Sequence, residues 1–220
     1  LPRGWRFEFG LMPTPVRPVL ADKGSRLRFA PLSQPDIDIV WPEKGDQSFK
    51  FYGYPEAKVP ALFDAALRRR EQGGARVAPY LCPTFLSTGA PEWRAYSTQW
   101  SLKRFDSTSS DVMAMGGALA LVSPRVPGWQ QFYADKLSQF LARFQPAALY
   151  FDNAQLYGGA VPEVGVGYAV DGKVRPEYPL LAYRRLFRSL ARVANEQGAT
   201  TLILHGSGQL NPMIASAGTY

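Results

Sequence analysis

Asp152 closes the run Ala148-Leu149-Tyr150-Phe151-Asp152, a carboxylate at the end of an otherwise apolar stretch. A charge placed there carries a desolvation cost unless it is paired or put to use. Its chemistry would be acid/base catalysis or the stabilisation of developing charge. The alternative is an Asp that caps the following loop by accepting backbone N–H groups. His205 is the only histidine, and it closes Thr201-Leu202-Ile203-Leu204-His205 in front of Gly206-Ser207-Gly208. An imidazole there can bind a substrate hydroxyl or a carboxylate, or serve as a satisfied structural residue. With one His and one Cys, Cys82, no metal centre is expected. No cofactor is expected either.

Aromatic residues accompany these two groups. Trp93, Tyr96, Trp100, Tyr157 and Tyr168 lie in polar segments and suit stacking on sugar rings. Equally, they could pack long loops onto the body of the fold. Glu92, in Ala90-Pro91-Glu92-Trp93, is a candidate acid or a charge at a helix N-terminus. Glu8 falls inside an apolar run and would need a partner such as Arg.

The elements that must position these groups follow from periodicity. Strands are expected over residues 5–10, 76–81, 148–152 and 201–205, with a short one over 37–41. Helices are expected over 55–72, 129–144 and 178–197; in the last, Leu181, Arg184, Phe187, Leu190 and Ala194 form the stripe. The segments 82–128 and 153–177 carry no clear period and read as long loops. Strands alternating with helices of this length imply βαβ units and a parallel sheet. Helix-to-strand connections are short, as at Gly73-Gly74, Gln145-Pro146 and Gly198-Ala199, whereas strand-to-helix connections are long. In a β/α barrel the long kind gathers at the C-terminal face and builds the active site. No glycine-rich phosphate fingerprint follows the first strand, which favours the barrel over a doubly wound sheet.

The chain has 220 residues, 46% of them hydrophobic, enough for one domain with a sizeable core. A complete eightfold barrel typically needs ~250 residues. The chain also opens on Leu1 without Met and stops at Tyr220 in mid-run. The expectation is one barrel segment, incomplete at both ends, of a longer protein. No apolar run approaches the ~18 residues of a membrane span. The net charge of +7 raises a nucleic-acid reading, but the cations are scattered. Their densest cluster, Arg68-Arg69-Arg70, closes an expected helix, where cations complement the dipole. Neither a nucleic-acid nor a membrane partner is therefore expected.

Several colinear segments together resemble the glycoside hydrolase family 123-like barrel proteins. They are Phe9-Gly10-Leu11-Met12-Pro13-Thr14-Pro15-Val16-Arg17-Pro18, Ala90-Pro91-Glu92-Trp93 with Tyr96 and Trp100, and Leu149-Tyr150-Phe151-Asp152. Gly165-Val166-Gly167-Tyr168, Asp171-Gly172-Lys173, Arg175-Pro176-Glu177-Tyr178-Pro179-Leu180 with Arg184-Arg185, and His205-Gly206-Ser207 complete the set. The resemblance implies a (β/α)8 barrel within a larger bacterial protein, secreted or periplasmic, acting on glycans, with further β-sandwich-type domains. It also implies a retaining, substrate-assisted reaction on N-acetylhexosaminides. There the acetamido oxygen is the nucleophile, an Asp orients it and an adjacent Glu is the acid, an exception to the usual pair of protein carboxylates. Asp152 takes the Asp position. His205, Tyr168, Asn153, Trp93, Glu92 and Arg184 are candidate substrate ligands. The departure is Asn153, which stands where Glu is expected and cannot donate as an acid. The alternative is a catalytically degenerate carbohydrate-binding barrel.

Overall fold

The computed structural model describes residues 11, 36–42, 45–105, 115–209 and 211–219, with backbone only for 103–105. The expected strand over 5–10, Glu8 and the proline-rich motif after Phe9 lie outside the described residues. β1 (Ile37–Val40) leads to α1 (Pro60–Glu71), then β2 (Arg76–Leu81). β3 (Phe85–Ser87), α2 (Pro91–Trp100), β4 (Ser101–Phe105) and β5 (Leu119–Val122) precede α3 (Pro127–Phe144). β6 (Ala148–Phe151) follows, then the hairpin β7 (Tyr168–Val170) and β8 (Lys173–Arg175). α4 (Leu180–Glu196), β9 (Thr201–Leu204) and the short α5 (Pro212–Ala215) complete the order.

β1, β2, β6 and β9 form one parallel sheet in that order, as the βαβ alternation requires. It is a partial barrel-type sheet; no closed barrel forms among the described residues. The register sets Val40 opposite Pro79, Tyr80 opposite Tyr150, and Phe151 opposite Leu204. Side chains alternate between faces of a strand, so Tyr150 and Asp152 share one face and Phe151 takes the other. Phe151 meets Phe187 of α4 at 6.3 Å, so that second face is the helix-covered one. Helices α1 and α3 lock together through Phe63, which packs on Phe49, Phe140 and Phe144 with centroids 5.0–5.6 Å apart.

The helices begin where proline allows. Pro60, Pro91 and Pro127 each sit in the first turn, where a missing N–H costs nothing. α1 therefore starts at 60 rather than 55. The preceding residues turn instead, with Phe49 bridged to Ala57. In α4 the buried residues include Tyr183, Leu186, Phe187, Leu190 and Ala194, and Arg184 is half-buried beside that stripe. The Arg68-Arg69-Arg70 triplet closes α1 as expected. Arg68 bonds Glu71 at 2.9 Å and the α3-terminal carbonyl of Phe144 at 3.1 Å, and Arg70 pairs with Asp38 at 2.9 Å.

The segment 82–128 departs from its expected aperiodic form. It holds α2 and a three-stranded antiparallel sheet in the order β3–β5–β4. Its small core joins Cys82, Phe85, Leu102, Leu119 and Leu121 to Val164 and Val166 from the next excursion. Ser123 donates to the Val164 carbonyl at 2.8 Å, and Arg125 pairs with Glu177. The two long strand-to-helix excursions are thereby fastened to each other.

Candidate active site

The sheet ladder brings Asp152 and His205 side by side. Asp152 N donates to the Leu81 carbonyl at 2.8 Å, and His205 N donates to the Phe151 carbonyl at 2.9 Å. Both residues thus continue the parallel pairing one step past their strands, at the C-terminal ends. The Asp152 residue is 8% exposed, and its carboxylate accepts four side-chain donors. His205 Nδ1 (2.7 Å) and Ser207 Oγ (3.4 Å) reach Oδ1. Asn153 Nδ2 (2.6 Å) and the Tyr80 hydroxyl reach Oδ2. A carboxylate only accepts, so His205 carries its proton on Nδ1.

A relay stands behind two of the donors, Tyr80 and Asn153. The Tyr52 hydroxyl lies 2.9 Å from that of Tyr80, which is already donating to Asp152, so Tyr52 donates to Tyr80. Tyr157 donates to Asn153 Oδ1 at 2.8 Å, which turns the Asn153 amide nitrogen toward Asp152. Gln155 Nε2 in turn reaches the Tyr157 hydroxyl at 2.6 Å. Two of the donors hold unusual backbone: Asn153 (φ 53°) and Ser207 (φ 44°) are both left-handed. Asn tolerates that region, whereas Ser adopts it at a cost of about 1–2 kcal/mol. Strain of this kind gathers at functional sites.

Burial sets the electrostatics. It pushes the Tyr80 hydroxyl far above the ordinary phenol range, and the neighbouring Cys82, Asp152 and Tyr52 add to the shift. The fully buried Cys82 thiol is pushed up to about 12, by burial first and Asp152 second. Tyr157 is likewise raised to about 12 by burial. All three stay protonated at neutral pH, so Tyr80 is a fixed donor.

An aromatic wall adjoins the carboxylate. Tyr80 and Tyr150 stack at 5.4 Å, Trp41 lies 5.5 and 5.7 Å from them, and the His205 ring lies 5.7 Å from Tyr150. Trp41 is 41% exposed and follows β1, so the wall spans the ends of all four parallel strands. A flat, part-exposed indole beside buried polar donors suits a sugar, which has one apolar face and a hydroxyl rim.

Of the residues expected to bind substrate, the structure brings His205 and Asn153 to Asp152. Glu92 takes a Tyr54 hydroxyl at 3.0 Å and sits in the first turn of α2, in line with its helix-charge reading. Its Oε2 is buried without a partner among the described residues. Trp93 is half-buried against the main core, Arg184 is half-buried on α4, and Tyr168 is 52% exposed on β7. None of these four hydrogen-bonds to Asp152. Trp100 is core, packed on Trp129 at 5.4 Å, and Tyr96 stacks on it. The sequence reading missed Trp41, Tyr52, Tyr80, Tyr150 and Ser207. Among the described residues no group of three His, Cys, Asp or Glu side chains could hold a metal ion.

Compared by sequence, the chain matches no family model and no curated protein. Compared by structure, it is similar to glycoside hydrolases. A family GH36 α-galactosidase from Geobacillus stearothermophilus matches with TM-score 0.53 at 13% identity, over 84% of this chain and 25% of its own. The galactosidase domain of an α-galactosidase–sucrose kinase gives TM-score 0.53 at 14% identity, over 84% and 24%. An α-galactosidase from Thermus thermophilus gives 0.50 at 15% identity, over 83% and 33%. The chain spans a third or less of the length of these structures. At such identities the likeness concerns fold alone: a β/α architecture of the kind these structures share.

Proposed function

We propose that this chain is the core of a glycoside hydrolase barrel and that the rim cluster around Asp152 is its glycan-processing site. The observation that carries the reading is the Asp152 carboxylate itself. It ends a central parallel strand at the face where barrel enzymes place their chemistry, held by four donors beside an aromatic wall. The substrates proposed are N-acetylhexosaminides, processed with retention by the substrate's own acetamido group, as the family 123 resemblance implies. Asp152 would then orient and stabilise that acetamido group. Ser207, at 3.4 Å, is the most weakly held of its donors and the one an acetamido N–H would displace.

The test is the full chain on a panel of aryl glycosides that includes N-acetylhexosaminides. Asp152→Asn is expected to lower kcat/KM by roughly 10²–10⁴-fold. Turnover unchanged by Asp152→Asn overturns the assignment. A second reading, a carbohydrate-binding barrel without catalysis, is favoured by one observation: Asn153, which cannot donate a proton as an acid, stands beside Asp152 where the resemblance expects Glu. Glycan-array binding with no turnover on the same panel supports that second reading.

A further inference from the structure

Asn153 leaves a hydrolytic site without the acid that protonates the leaving oxygen. Another side chain on the rim has the geometry for that task. Asp152 offers about four acceptor positions, and its four donors fill them. It is an orienting charge with no proton to give. His205 is different: Nδ1 is tied to Asp152 Oδ1 at 2.7 Å, and Nε2 meets no hydrogen-bonding atom of the described residues. The imidazole is 52% exposed and lines a cavity of about 360 Å³ with Ala154, Gly206, Ser207, Gln209 and Asn211. That size is within the range of small-ligand sites. Holding Nδ1–H on a carboxylate fixes the tautomer, turns Nε2 into the exchanging nitrogen and stabilises the imidazolium. The groups facing His205 are Asp152 and the Tyr150 ring, with Tyr80, Tyr52 and Cys82 behind Asp152.

We propose that His205 is the proton-transfer residue of this site, acting through Nε2, with Asp152 as its positioning residue. The proposal rests on the glycoside hydrolase reading above. In the first step the bond from C1 to the leaving oxygen breaks. Its electron pair goes to that oxygen, which takes the proton of Nε2 while the acetamido oxygen bonds C1. In the second step water bonds C1, the acetamido oxygen departs with its pair, and Nε2 takes the proton released by water. The imidazolium is restored and one water is consumed.

His205 is the single histidine, so ring-nitrogen NMR on the full chain with labelled histidine reads this imidazole alone. The neutral ring is expected with its proton on Nδ1, and Asp152→Asn is expected to move that proton to Nε2. A wild-type ring protonated on Nε2 overturns the dyad without any variant or substrate. In kinetics, His205→Gln is expected to lose roughly 10²–10⁴-fold in kcat/KM on glycosides with poor leaving groups. On activated aryl glycosides, which leave unprotonated, the loss should be far smaller, and one limb of the pH–rate profile should flatten. Equal losses on both substrate types overturn the role of His205 and leave the hydrolase reading standing. A wild-type chain that turns over neither type overturns both.

Discussion

Asn153 makes two uses of one amide: Nδ2 serves Asp152 and Oδ1 is held by Tyr157. Its backbone at φ 53° suits Asn better than Glu. Asn153→Glu would recreate the adjacent acidic pair on paper. It would also remove a donor, place a second carboxylate against Asp152 and strain the backbone. The expected result is a stability loss of roughly 1–3 kcal/mol, read as a lower urea midpoint, with no gain in turnover. A stable variant with raised activity would contradict this account. At this scale, Asp152 and His205 were legible because a polar group ending an apolar run stands out. Tyr80, Tyr150 and Tyr52 were not, since a Tyr inside or near a buried strand has the same pattern whether it packs a core or donates to a carboxylate.

Among the elements, the turn before Tyr54 sets the depth of the site. Gly53 has φ +62°, and a Cβ there would lie 2.5 Å from the Cys82 Cβ. Its carbonyl accepts from Cys82 N at 2.8 Å and from the Tyr133 hydroxyl at 3.2 Å. That close approach is what lays Tyr52 against Tyr80. Gly53→Ala combines a left-handed φ, costly once a Cβ is present, with overpacking against Cys82 and is expected to cost about 1–3 kcal/mol. Its melting temperature should fall, and any glycan-dependent signal that relies on Tyr80 should weaken with it. The helix ending at 144 matches its sequence period because one face is buried and repeats regularly, whereas the strand over 76–81, buried at every position after Arg76, stands out as an apolar run that follows Gly73-Gly74. The sheet inside 82–126 left no such trace. Its strands are three to five residues long, and β3 and β5 are buried along their whole length, which erases alternation. Pro60 and Pro91 were the available signals for the true starts of α1 and α2.

Across the whole molecule, burial stores a common alkaline liability. Cys82 is held neutral up to about 12, against an ordinary value near 9, and Tyr80 and Tyr54 are raised further, chiefly by burial. The unfolded chain releases these protons first, so above pH ~9 the native state binds more protons than the unfolded one. Stability from these groups is therefore level below pH ~9 and falls as pH rises toward 12. Urea midpoints measured between pH 8 and 11 should decline, and Cys82→Ala should shallow the slope. A midpoint that rises over that range would refute the burial assignments. The fastening of the two excursions through Leu102, Leu121, Val164 and Val166 has a different consequence. Because the described part of this collar packs upon itself rather than upon a ligand, a ligand of the proposed class would have little order to impose on those residues, and the conformational share of its binding cost drawn from them should be small.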